Sequence, residues 1–216
     1  ILDDLFRFLG AYKDWWRDIV IISWGAEWVD EYAHLLALEH GLSTICVLWW
    51  GIWWYEKSSK RVLVEKILGD KKNVAWESQI HTSGSGLILT EYDDQEAPTY
   101  YTYPQRNRII AGLSQIVFLP EAWEKSWALL TVWYANKAKI PVYAPMQDIY
   151  NIHSLGSNSG IVNGKINPVV DMRQMLIAHF GFSEGILQQE SVVMWWSKNN
   201  LLEKDSSPHI NADISI

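Results

Sequence analysis

With one cysteine in 216 residues, the chain can close no internal disulfide, and its fold has to rest on an apolar core, as suits a reducing cytosol. That residue, Cys46, sits in the apolar run Ser43-Thr44-Ile45-Cys46-Val47-Leu48. A buried strand thiol is the simpler reading, with a reactive thiol as the alternative. No apolar stretch reaches the length of about eighteen residues that a transmembrane helix requires. A basic-then-apolar leader is also missing, which as written points away from secretion and towards a cytoplasmic setting. Positive charge is scarce: 18 Lys and Arg face 25 Asp and Glu, for a formal net charge of −7. Affinity for phosphates normally comes from Lys and Arg, so any nucleic-acid surface must be a local patch on an acidic body. His81, His153 and His209 share no ligand spacing with Cys46 or with one another. No nucleophile triad, Walker loop or zinc signature occurs, and neither a metal nor a cofactor is expected.

What is present suits one large domain, or one domain with a short appendage. Hydrophobic residues make up 49% of the chain and charged residues 20%, enough to build a core and too balanced for wholesale disorder. Ile1, Leu2, Leu5, Phe6 and Leu9 follow helical spacing. Ile19–Ile22 is a β-branched run typical of a strand buried on both faces, and helical spacing returns from Val29 to His40, closed by Gly41. A strand over Ile45–Leu48, a helix over Lys57–Leu68 and a strand over Leu87–Leu89 follow. Pro104 opens a helix to Leu113, where proline is tolerated. Ile116–Leu119, Glu124–Lys139 and Val142–Ala144 read as strand, helix and strand. Two short helices, Ser157–Asn163 and Asp171–Phe180, flank a weak strand at Ile166–Val170. This alternation predicts an α/β fold, a mainly parallel sheet flanked by helices. Ligands bind such sheets beyond the carboxyl ends of the strands, which directs attention to the loops after Ile22, Leu48, Tyr92 and Leu119. The pattern weakens beyond Gly181, so a domain over 1–180 and an appendage over 181–216 are expected.

Tryptophan is the compositional anomaly. There are 14, eight of them in the doublets Trp15-Trp16, Trp49-Trp50, Trp53-Trp54 and Trp195-Trp196, and most fall in turns after strands, where glycine is the usual residue. Three readings stand: core packing, a platform for stacking bases, and glycine positions written as tryptophan because UGA is read differently in different bacteria.

Reading Trp as Gly turns Ser23-Trp24-Gly25-Ala26-Glu27-Trp28-Val29-Asp30, followed by Ala33-His34, into Ser-Gly-Gly-Ala-Glu-Gly-Val-Asp. That resembles the Ser-Gly-Gly-Ala-x-Gly-Ile-Asp-x-x-Ala-His motif of the DNA-processing protein A (Smf) family. Tyr103-Pro104-Gln105-Arg106-Asn107-Arg108-Ile109-Ile110-Ala111-Gly112-Leu113-Ser114 is similar to that family's Phe-Pro-x-Arg-Asn-Arg-Ile-Ile-Ala-Gly-Leu-Ser with no tryptophan involved. Glu121 to Thr131, and Gly156-Ser157-Asn158 through Gly164, resemble two further family segments in order. The resemblance spans roughly Ile19 to Met172 and implies a Rossmann-like domain. It also implies an absent first strand, with its Gly-Ser-Arg turn, ahead of a chain that begins at Ile1 and not at Met. Several tryptophans, on this view, stand for glycine.

The resemblance further implies single-stranded DNA binding without catalysis, protection of incoming strands and their loading onto the RecA recombinase during DNA uptake, by a homodimer. The alternative is a nucleotide-binding, phosphoribohydrolase-like enzyme of the lysine-decarboxylase-like group, whose Gly-Gly-x-Gly-Thr loop is not matched here. The expected DNA contacts are as follows. Ser23, Gly25 and Ala26 form a turn entering a helix, where backbone amides and the helix dipole cradle anions. Lys125, Ser126 and Thr131 act as polar donors at a second such junction, with helix capping as an equally open reading for Ser126 and Thr131. Tyr100, Tyr101 and Tyr103 offer stacking faces, whose alternative, for Tyr101 above all, is loop packing. Of Arg106 and Arg108, flanking Asn107, one is expected to face DNA and the other to brace a carboxylate such as Glu91 or Glu121. Asp30 and His34 share a helix face, a spacing that suits acid–base chemistry or a metal, though a capping Asp with a packed His is the simpler account.

Overall fold

The computed structural model describes residues 1–11, 19–69 and 86–180. The chain divides into two compact units, Ile1–Val170 and a second opening at Asp171. The appendage expected over 181–216, the doublets Trp15-Trp16 and Trp195-Trp196, and His81 and His209 lie outside the described residues.

In the first unit helix α1 (Leu2–Ala11) begins with Asp3 and Asp4 in its first turn, where the helix dipole favours acids, and buries Leu5, Phe6, Phe8 and Leu9. Strand β1 (Val20–Ser23), helix α2 (Val29–Glu39), strand β2 (Ser43–Val47), a 3₁₀ turn (Ile52–Lys57), helix α3 (Arg61–Leu68) and strand β3 (Gly86–Leu89) follow. β2 lies between β1 and β3, parallel to both, with Val20 opposite Ser43 and Thr44 opposite Gly86. The second sheet takes β4 (Val117–Phe118), β5 (Val142–Pro145) and β6 (Asn167–Val169) in that order, again all parallel. Helices α4 (Thr102–Gln105) and α5 (Asn107–Leu113) precede it, α6 (Ala128–Lys137) joins β4 to β5, and α7 (Leu155–Val162) joins β5 to β6. Helix α8 (Met172–Phe180) belongs to the second unit. No helix among the described residues is long and apolar enough to cross a membrane.

The parallel pairing and the helical connections agree with the periodicity of the sequence, but the strands form two three-stranded sheets instead of one. β4 is only two residues long, and residues of β1 and β4 both wall a cleft, so no ladder joins these strands. Each sheet has its own core. Leu38, Cys46, Leu48, Trp50, Leu63 and Ile67 pack on the first. The second relies on small residues, Ala111, Ala122, Ala135 and Ala144, interleaved with Val117, Leu119, Val132, Val142 and Ile166, which lets α5 and α6 approach closely.

Three helices differ from expectation, each for a local reason. The helix predicted over Lys57–Leu68 breaks at Ser58, whose hydroxyl donates to Tyr55 O and accepts from Lys60 N. The one predicted from Pro104 to Leu113 breaks at Arg106, where Ile109 N donates to Arg106 O at 2.8 Å, a tighter i→i+3 bond. The one predicted from Glu124 starts at Ala128, because Ser126 Oγ accepts from Ala128 N at 3.2 Å and ends the preceding turn there.

Candidate nucleic-acid interface

The loops leaving β1 and β4 converge on a cleft of about 370 Å³ at the carboxyl ends of those strands, the place where ligands meet open parallel sheets. Of the anticipated residues, Ser23, Ala26, Tyr103, Arg106, Asn107, Ser126 and Thr131 line it together, joined by Trp24, Asp30, Glu121, Trp123 and Trp127. Gly25 is buried beneath the turn. Its φ of +74, with Leu63 Cδ2 only 2.8 Å from where a Cβ would sit, admits no side chain. Tyr100 stands at the rim, 71% exposed, its ring 5.7 Å from that of Trp127. Lys125 and Arg108 stay exposed and outside the cleft lining.

The turn Ser23–Ala26 is closed by a carboxyl group of its own. Asp30, in the first turn of α2, turns back so that its Oδ2 accepts from Ala26 N at 3.4 Å. Burial pushes the Asp30 carboxyl up, while the Ser23 hydroxyl and the Ala26 amide pull it back down. The Ala26 amide, one of those expected to cradle a ligand phosphate, is thus taken by this carboxyl group. Asp30 lies within the first turn of α2, whose cap position, Trp28, makes no side-chain cap bond, so the expected capping Asp is not found. His34, one turn on, is fully buried. Thr44 gives its hydroxyl proton to Ile21 O at 2.9 Å, so His34 Nδ1 must donate to Thr44 Oγ1, 2.7 Å away. Nε2 then has no partner, and burial lowers the imidazole to about 4. His34 is a neutral core residue, as the simpler account has it.

The two arginines separate cleanly. Arg108 pairs with Glu91 and is half exposed, which makes it the brace. Arg106 is fully buried. Its Nε donates to Asn107 Oδ1 at 3.0 Å and its Nη1 to Val47 O at 3.3 Å. Its guanidinium carbon lies 3.8 Å from the Trp24 ring centroid and 5.1 Å from those of Trp49 and Tyr103. Desolvation lowers Arg106 to about 9. Asn107 is occupied on both sides, since its Nδ2 also donates to Trp127 O at 3.0 Å, and so acts as a pin between α5 and the loop before α6. Glu121, the other carboxylate considered as a brace, instead accepts from Asn151 Nδ2 at 3.2 Å and Ser154 Oγ at 3.4 Å. Ser126 Oγ accepts from Ala128 N in the turn ahead of α6, whose cap position, Trp127, makes no side-chain cap bond. Thr131 lies in the first turn of α6 and lines the cleft.

Sequence reasoning missed the position of Trp24, which roofs Arg106, and of Trp127, which carries the aromatic row from Tyr103 (5.9 Å) to Tyr100. Nothing in spacing alone signals these ring contacts. Trp28, which precedes α2, adopts φ 76 and ψ −97 and is 85% exposed, a backbone region that side chains rarely enter. Among the described residues no group of three or more His, Cys, Asp or Glu stands close enough to hold a metal.

The model of the family described as DNA recombination-mediator protein A matches residues 13–179. The chain is 32% identical over 167 residues to the DNA processing protein DprA of Streptococcus pneumoniae, covering 77% of this chain and 53% of that protein. It is 36% identical over 124 residues to the Protein Smf of Synechocystis, 57% of this chain and 27% of that one. It therefore spans about half the length of the pneumococcal relative. Its fold is similar to that of Helicobacter pylori DNA processing protein A, described for a single-stranded DNA binding mode. That similarity has a TM-score of 0.65 at 23% identity and covers 83% of this chain and 72% of that one. The X-ray structure of the pneumococcal protein gives a TM-score of 0.64 at 28% identity, with 84% and 56% covered.

Proposed function

Because the chain belongs to the DNA recombination-mediator protein A family, we propose that it binds single-stranded DNA at the cleft between β1 and β4, as a binding module and not an enzyme. One observation carries the reading. A buried guanidinium, the hydroxyls of Ser23, Ser126 and Thr131 and the ring of Tyr103 converge on one cleft, and the Tyr100 ring stands exposed beside it. Aromatic faces stack on bases of any sequence, and stacking asks for no net positive charge, which an acidic chain of −7 lacks. Protection of the strand, its transfer to the RecA recombinase, a homodimeric state and a cytoplasmic setting come with the family and form part of the proposal. Fluorescence anisotropy of a labelled single-stranded oligonucleotide, with duplex DNA as competitor, tests it. Preferential retention of the single strand is expected. Absence of binding by folded protein refutes it, as would steady release of base from AMP.

The same reading takes the tryptophans at the family's glycine positions, Trp24, Trp28, Trp123 and Trp127 among them, as glycines in the protein its source makes. The backbone of Trp28 supports this, since its φ of 76 is one that glycine adopts without strain. Three of these indoles, Trp24, Trp123 and Trp127, stand in the cleft itself. Peptide mass spectrometry of the protein from its natural source distinguishes the residues by mass, and tryptophan throughout would end the idea.

A further inference from the structure

Resting on that reading of the cleft, we propose that Arg106 is the residue that takes a backbone phosphate, and that the side chain at position 24 decides whether phosphate can reach it. Arg106 is a fully buried cation lining the cleft, yet among the described residues it makes no ion pair. Its hydrogen bonds go to an amide oxygen, Asn107 Oδ1, and to a main-chain carbonyl, Val47 O, and both leave from Nε and Nη1. A charge removed from water without a counter-ion is costly, and the lowered titration of Arg106 reports that cost. The nearest carboxylate, Asp30, acts on it only through space and is itself engaged with Ala26 N.

The rest of the surroundings are aromatic. Trp24, Trp49 and Tyr103 contact the guanidinium by their rings, which stabilises the cation without consuming the N–H edge that grips phosphate. The Trp24 indole, 3.8 Å from the guanidinium carbon, itself lines the cleft and is the aromatic ring nearest to that charge. A residue without a side chain at position 24 removes that ring from the guanidinium and opens it to the cleft, which Ser126 also lines. A phosphodiester then supplies the missing counter-ion. This assigns the DNA-facing role to Arg106 and not to Arg108, which Glu91 already neutralises.

The test compares the parent chain with Trp24→Gly, Trp24→Ala and Trp24→Gly/Arg106→Gln, each confirmed folded by circular dichroism and a cooperative melt. Anisotropy titrations of a labelled oligothymidylate are run at several salt concentrations. Opening the cover is expected to tighten binding on the order of tenfold. It should also steepen the plot of log affinity against log salt by about 0.7, the increment for one added phosphate contact on a single strand. Both gains should vanish in the double variant. Folded Trp24 variants with the parental slope overturn the proposal while leaving DNA binding itself intact. So does a double variant that keeps the gain, or the unfolding of both single variants, which would make Trp24 a structural residue and not a cover. Failure of every chain to bind DNA would instead refute the broader reading. Thermal stabilisation of Trp24→Gly by inorganic phosphate, absent in the double variant, would then still support the Arg106 site, and no such stabilisation would overturn it.

Discussion

Replacing Trp28 by glycine is expected to raise the stability of the chain. Its φ of 76 and ψ of −97 place the Cβ against its own backbone, and a bulky residue so held costs about 3 kcal/mol, the upper end for backbone strain. At 85% exposure the indole leaves about 40 Å² to lose on removal, worth about 1 kcal/mol. Glycine adds a cost of about 0.7 kcal/mol for its freer unfolded chain. The balance is a gain of about 1 kcal/mol, which for a chain of this length raises the melting temperature by about 2–4 °C. Trp28→Ala loses the same contacts and keeps the strain, so it should fall about 1 kcal/mol below the parent. The interval of about 2 kcal/mol between the two variants isolates the backbone conformation from the bulk of the side chain. Thermal and urea unfolding followed by circular dichroism measure it, with an unchanged m-value securing the comparison. Alanine and glycine variants of equal stability would refute the reasoning.

Three other outcomes are expected. His34 titrates at about 4 in the fold against 6.5 in the unfolded chain. Its contribution is therefore intact above pH 6.5 and is lost progressively as pH falls towards about 4, on the order of 3 kcal/mol in all. His34→Gln should flatten that stretch of a stability-against-pH curve, and an unaltered curve counts against the assignment. Cys46 is buried and its thiol pushed up to about 12 by desolvation; at about pH 8 iodoacetamide should leave it unmodified in the fold and alkylate it in urea, whereas rapid native labelling would show an accessible thiolate. Arg108→Ala breaks only the half-exposed pair with Glu91; a stability loss below about 1 kcal/mol and an unchanged salt slope for single-stranded DNA are expected, and a shallower slope would make Arg108 a phosphate contact.

The elements that sequence periodicity located well are those where burial alone decides. Apolar runs at Ser43–Val47 and Val142–Pro145 read as strands because much of each is buried, whereas Val20–Ser23, expected to be buried on both faces, lies at the edge of its sheet with Val20 exposed and the rest half-buried. The helix Val29–Glu39 was legible in its apolar spacing. Helix starts were misplaced where a side chain competes for the backbone, as Ser126 does for Ala128 N and Ser58 does for Lys60 N. In the site, the loops were legible from the strand-to-helix rule, and seven of the anticipated residues do share one cleft. The roles of individual polar groups were not. Arg106 and Arg108 are two residues apart and chemically identical, and only the tertiary placement of Glu91 beside one and Trp24 above the other tells them apart. Asp30 looked like a helix cap but lies inside the first turn of α2 and reaches back to Ala26 N, across a turn that Gly25 bends with a φ of +74.

The acidic balance of the chain and the DNA reading are compatible because the charges are unevenly distributed. Glu91 is matched by Arg108. Asp93 and Asp94 sit on a loop strapped by main-chain bonds to the turn after β2, with Gly51 N donating to Glu96 O at 2.9 Å and Trp53 N to Asp94 O at 3.0 Å. That strap requires Gly51, where a Cβ would fall 2.0 Å from Asp93 O, and it ties these carboxylates to one fixed place. Within the cleft Asp30 is held by the Ser23–Ala26 turn and Glu121 by Asn151 and Ser154, while Arg106 alone carries charge without a partner in contact. On the proposed reading, a strand approaching this surface meets the rings of Tyr100 and Tyr103 and then the buried cation of Arg106. A site of that kind would draw little of its affinity from counterion release and most of it from whether the residue at position 24 and its neighbours leave room for a base and its phosphate. The size of the loop side chains, more than the net charge, would then set the affinity.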